Sequence, residues 1–166
     1  SKLICLFLTM SIFITMSGYA AQNHTAYINE NGEVIETGID IIVDGAALDF
    51  SGVHEPVIID GRTLIPMRKL FETLNAEVSW DENEHSITAS SNGTTVKLFI
   101  DNSVMYVNGV STVLDTAPRL MKYNDNFDTT MVPVRAVSES FSCDVNWDEE
   151  NYSVIITTIP LSLIHI

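Results

Sequence analysis

Positive charge is scarce in this chain. Its 166 residues carry 8 Lys and Arg against 22 Asp and Glu, a formal charge of −14. Such a surface repels nucleic-acid phosphates and anionic lipid or polymer at long range, so nucleic-acid binding is excluded. Histidine is sparse as well, and His24, His54, His85 and His165 stand far apart. Without an HxH or HExxH pair the ligand spacing of a zinc or copper site is missing. No metal and no other cofactor is expected. A GxSxG elbow and a phosphate loop are also absent, so the signs of a serine hydrolase or a nucleotide enzyme are lacking. No catalytic residue is assigned, and the chain is read as a non-enzyme. Cysteine is limited to Cys5 and Cys143.

One long apolar run is present, Leu3 to Met16, preceded by the single charge of Lys2 and followed by Gly18-Tyr19-Ala20. It is shorter than the roughly 20 apolar residues of a bilayer span. Residues 1–21 therefore read as a secretory signal peptide, which touches membrane only before cleavage. Its removal takes Lys2 and Cys5 with it, so the mature chain keeps Cys143 alone and has no internal disulfide. Residues 22–40 read as a polar, mobile lead-in with room for a short strand near Tyr27 or Val34. Residues 159–166 lie outside the pattern described next and are expected to be a non-native or truncated tail.

Thr63 to Ala89 returns as Thr130 to Ile156, offset by 67 residues without a gap and identical at nine of 27 positions. Average composition gives roughly two such matches by accident, so this is an internal repeat. Each copy encodes a strand, a short helix and a hairpin. Pro66 and Pro133 stand where a first helical turn begins, a place that tolerates a missing N–H. Met67, Leu70, Phe71 and Leu74 then make one apolar stripe at helical spacing. Val134, Val137, Ser138 and Phe141 repeat it with one polar lapse. Alternation follows: Val78 and Trp80, like Val145 and Trp147, share a face, and both tryptophans are expected in the core.

Asp44-Gly45 and Asn108-Gly109 mark two-residue hairpin turns, and Thr95 to Ile100 alternates as a half-buried strand with Val96, Leu98 and Ile100 inward. No Pro/Gly/Ser-rich gap separates the copies. One pseudo-two-fold domain over 41–158, made of repeats 41–100 and 101–158, is expected rather than two beads.

Asp60-Gly61-Arg62-Thr63, Pro66-Met67-Arg68, Ala76-Glu77-Val78 and Trp80-Asp81 together resemble the copper amine oxidase N-terminal domain-like family, a stalk-type module of exported bacterial proteins. The likeness covers roughly residues 41–158. The second copy departs from it in the longer Tyr123–Thr130 stretch and in Cys143, which replaces Ala76. The resemblance implies an α+β fold, with antiparallel strands and hairpins packed on two short helices. It also implies an accessory, non-catalytic role, and no copper chemistry.

Few residues remain as binding candidates. Tyr123, Asp125, Asn126 and Asp128 belong to a loop that interrupts the repeat; Asp and Asn oxygens there could coordinate calcium, but the Gly and distant Glu of an EF-hand are missing, so a surface loop is expected. Arg68 with Glu72, and Arg135 with Glu139, are spaced to bridge along their helices. Their recurrence argues for a structural task, such as tying helix to strand, against a ligand-binding arginine. Asp81-Glu82 and Asp148-Glu149 are read as solvated turn residues, and Cys143 as a buried small side chain.

The expected role is a non-catalytic, secreted or cell-surface scaffold or binding module of the bacterial envelope. Its partner would be an envelope component or a covalently linked downstream domain. The alternative is a carbohydrate- or peptidoglycan-binding protein using exposed aromatics and the 123–130 loop.

Overall fold

The computed structural model describes residues 24–124 and 127–163. Residues 1–21, expected to be a signal peptide, with Cys5 among them, and Asp125, Asn126 and His165 lie outside the described residues. Among the described residues no helix is long and apolar enough to cross a membrane.

The chain begins with a hairpin of β1 (Thr25–Ile28) and β2 (Val34–Thr37), followed by β3 (Asp40–Val43) and β4 (Ala46–Ala47). Then come β5 (Val57–Ile59), β6 (Arg62–Pro66), α1 (Met67–Thr73), β7 (Glu77–Asp81) and β8 (Ser86–Ser91). The middle holds β9 (Thr94–Phe99), β10 (Val104–Val107) and β11 (Val110–Val113). The last third runs β12 (Arg119–Asn124), β13 (Phe127–Pro133), α2 (Val134–Ser140), β14 (Cys143–Asp148) and β15 (Ser153–Thr158). A single 3-10 turn, Leu161–Leu163, follows. Both repeat copies thus carry strand, seven-residue helix, strand, strand. The α+β class stands.

Three sheets result, ordered β1-β2-β5-β6-β13-β12, β11-β10-β9-β8-β7 and β14-β15-β3-β4. All neighbours are antiparallel except β15 with β3. The two expected turns are present: Asp44 and Gly45 have φ of 49° and 83°, Asn108 and Gly109 of 49° and 81°. Both residues of each pair need positive φ, which Asx-Gly supplies at least cost. Asp60-Gly61 and Asn92-Gly93 close the β5–β6 and β8–β9 hairpins in the same manner.

The main core gathers residues from all three sheets and both helices. Leu70 and Phe71 of α1 and Val134 and Val137 of α2 are buried against Ile65 and Val132, Ile87 and Leu98, and Val145 and Ile156. Val96 and Leu98 point inward as their alternation predicted, and Ile100 packs at the margin. A second, smaller cluster of Ile35, Val57, Ile59, Leu64 and Met131 lies on the opposite face of the six-stranded sheet. That sheet curls until its two ends meet. Arg119 on the edge strand β12 reaches Glu33, in the β1–β2 turn, at 2.9 Å.

Two expectations fail here. From residue 24 on the lead-in is not mobile: strands form at both Tyr27 and Val34, where a short one was expected, β2 pairs with β5, and Ile35 is fully buried. Four-residue strands are too short to stand out by periodicity, so the hairpin is fixed by its neighbours. The described residues of the 123–130 stretch are not an extended loop either. Tyr123 lies in β12 and Asp128 in β13, where Lys122 faces Asp128 and Asn124 faces Phe127 around a bulge. An edge hairpin leaves one side to water, so polar residues can continue the ladder there.

Candidate functional site

The two hairpins of the repeat are built alike. Trp80 Nε1 donates to Glu82 Oε2 at 2.6 Å, and Trp147 Nε1 donates to Glu149 Oε2 at 3.2 Å. Asp81 Oδ1 accepts the backbone N–H of Asn83 and Glu84; Asp148 Oδ1 accepts those of Glu150 and Asn151. These bonds, led by the Asn151 side chain, hold the Asp148 carboxyl below its ordinary range. Each indole then meets a ring at the end of its turn: Trp80 stacks over His85 with centroids 6.4 Å apart, and Trp147 meets Tyr152 edge-on at 4.9 Å. The acidic pairs are turn residues, as the sequence predicts.

The tryptophans do not both reach the core. Trp147 packs at its margin, whereas Trp80 is 44% exposed. Trp80 does face the inner side, since it pairs with the fully buried Ile87. However, β7, like β14, is the outermost strand of its sheet, and Trp80 there keeps nearly half of its surface exposed. The second copy is covered by the N-terminal hairpin. His24 lies 3.8 Å from the Tyr152 ring, and the Tyr152 hydroxyl donates to Glu36 of β2. Burial and that carboxylate push the Tyr152 hydroxyl's pKa up.

The paired arginines also diverge. Arg135 Nη1 donates to the Val145 carbonyl at 2.6 Å and to Glu139 Oε1 at 3.4 Å, tying α2 to β14. Arg68 forms neither bond, and the expected Arg68–Glu72 bridge is not made. Both side chains are exposed, so water competes with a pair worth only a few tenths of a kcal/mol. Arg68 and Glu72 instead line a cleft with Asp49, Ser51, Lys69, Asp128 and Thr130, floored by Pro66 and Met67. Asp49 accepts both the Ser51 hydroxyl and its backbone N–H, which lower the carboxyl's pKa with help from Lys69. Of the expected binding residues, then, Arg68 and Asp128 share a cleft, while Arg135 sits in another part of the fold. Pro133 precedes α2 as Pro66 precedes α1.

A second depression lies on the outer face of the five-stranded sheet, lined by Thr88, Thr95, Lys97, Phe99, Tyr106 and Gly109. Phe99 and Tyr106 meet edge-on at 6.1 Å, and Lys97 Nζ lies 5.3 Å from the Phe99 ring centre. The outward half of the Thr95–Ile100 alternation pointed to this face; Tyr106 went unread because its strand is only four residues long. Among the described residues no three His, Cys, Asp or Glu side chains gather where a metal could be held. Cys143 is buried, and burial raises its thiol pKa.

A model of one protein family, described as copper amine oxidase N-terminal domain, matches residues 42–156. No curated protein matches the chain significantly.

Proposed function

The chain belongs to the copper amine oxidase N-terminal domain family, a non-catalytic module in those oxidases, and we propose that it serves as an exported scaffold of the bacterial cell envelope. Its task is to hold a linked domain or an envelope component in position. The observation that carries this reading is where the repeated polar groups are spent. Arg135, both tryptophan N–H groups and both hairpin aspartates bond within the module's own turns and junctions. A reaction centre needs such groups aimed at a substrate.

A pseudo-two-fold arrangement of the copies fits this role. The β6–β13 pairing joins Leu64 to Pro133, Ile65 to Val132 and Pro66 to Met131. Exchanging each residue for its counterpart 67 places away returns the same three pairs. This local two-fold relation on one shared ladder supports the reading of a spacer.

The test is expression of the full chain with its leader in a bacterial host, followed by fractionation, N-terminal sequencing and elemental analysis after copper loading. The proposal expects an extracytoplasmic product that starts near Gln22 and retains no stoichiometric copper. An uncleaved cytoplasmic product, or bound copper accompanied by amine oxidation, contradicts it.

The outer aromatic depression favours a second reading, carbohydrate or peptidoglycan binding, because Tyr106 is 37% exposed beside hydroxyl-bearing Thr88 and Thr95. Retention on purified cell wall that Tyr106→Ala abolishes, with the melting temperature unchanged, would decide for it.

A further inference from the structure

Arg68 and Arg135 occupy the same place in the repeat, yet only one is consumed by the fold. Arg135 is held by Val145 and Glu139, and Arg62, Lys97 and Arg119 are each bound to a carboxylate. Among the described residues Arg68 makes no ion pair or side-chain hydrogen bond. An unpaired guanidinium is unusual in a chain with so large an acidic excess. It lines the cleft between the start of α1, the turn around Ser51 and the strand β13. Its planar fork of donors matches a carboxylate in two-point geometry.

The cleft's other residues narrow the ligand. Asp49 is already engaged by Ser51 and sits in the field of Lys69. Glu72 and Asp128 remain at the rim without a partner among the described residues. Two free carboxylates beside an arginine repel phosphate or sulfate and attract an ammonium. Thr129 and Thr130 offer hydroxyls, and Pro66, Met67 and the 40% exposed Val53 offer apolar contact.

We infer that the Arg68 cleft binds a short zwitterionic peptide, its carboxylate on Arg68 and its ammonium toward Glu72 and Asp128. This stands apart from the scaffold role, since a scaffold without any ligand fails the following titration and still passes the fractionation above.

The experiment is an NMR titration of the ¹⁵N-labelled secreted protein with dialanine. Saturable shifts are expected at the amides of Met67 to Leu70 and Thr129 to Thr130. Arg68→Gln should weaken binding about tenfold or more, as loss of a charge-assisted bidentate contact does, with the melting temperature retained. N-acetyl-dialanine, which lacks the ammonium, should bind several-fold more weakly, and Arg135→Gln should leave affinity within about twofold. No saturable shift, equal affinity in Arg68→Gln, or inorganic phosphate binding as tightly as dialanine overturns the inference.

Discussion

Ser138 is the residue most at odds with its surroundings. It takes the place in α2 that Phe71 fills in α1, it is fully buried, and its hydroxyl has no hydrogen-bond partner among the described residues. A buried, unsatisfied hydroxyl costs about 1–3 kcal/mol. Ser138→Ala should therefore stabilise the protein by about 1 kcal/mol, read as a higher urea midpoint with unchanged slope; a loss of that size contradicts the assignment. Phe71 is its opposite, with no exposed surface and the Phe141 ring edge-on at 6.2 Å. Phe71→Ala should cost about 3–5 kcal/mol in the same measurement. Both helix stripes were legible in the sequence because helical spacing records which side faces the core. The exposure of Trp80 was not. Alternation gave its face correctly, but β7 and β14 both end their sheets, and only Trp147, through Tyr152, has the N-terminal hairpin beside it, a neighbour that local pattern does not encode.

At the scale of elements, the helix–strand and strand–strand ties differ between the copies. Arg135→Gln should lower stability by about 1 kcal/mol, a charged hydrogen bond discounted for its half-exposed side chain, whereas Arg68→Gln should be near neutral. Equal losses from both would remove the distinction between spent and free arginine. The acid dependence follows from two further ties. Glu33, bonded by Asn29 and Arg119, and Asp44, bonded by the Thr158 hydroxyl and N–H, both have lowered pKa values. A carboxyl with a depressed folded pKa binds its proton more readily in the unfolded chain. Its stabilisation is present above the ordinary carboxylate range and is lost as pH falls through the folded value. Melting temperature should thus fall on acidification below that range, and less steeply in Glu33→Gln; an identical slope in the variant contradicts the assignment. These ties join Glu33 to Arg119 and Asp44 to Thr158, far apart in the chain, and so left no mark in local sequence. The Arg68 cleft escaped reading for the same reason, since the Asp49–Val53 turn, the start of α1 and β13 meet only in the folded chain.

Across the whole molecule, the family and the α+β class were legible from the motifs of the first copy, which are short and rich in turn residues. The number of sheets was not, because β15 pairs with β3 of the other half, in parallel, across more than a hundred residues. That exchange argues that the halves fold as one body: neither sheet nor main core is complete within one copy. The chain offers its own reporters, since Trp80 lies in the first copy and Trp147 in the second. Urea unfolding followed by fluorescence in Trp80→Phe, which leaves Trp147, and in Trp147→Phe, which leaves Trp80, tests the claim directly once each curve is compared with circular dichroism of the same variant. A single cooperative fold predicts that fluorescence and circular dichroism coincide in both variants. A reporter that unfolds apart from the rest of its own molecule would show two independent beads and contradict it.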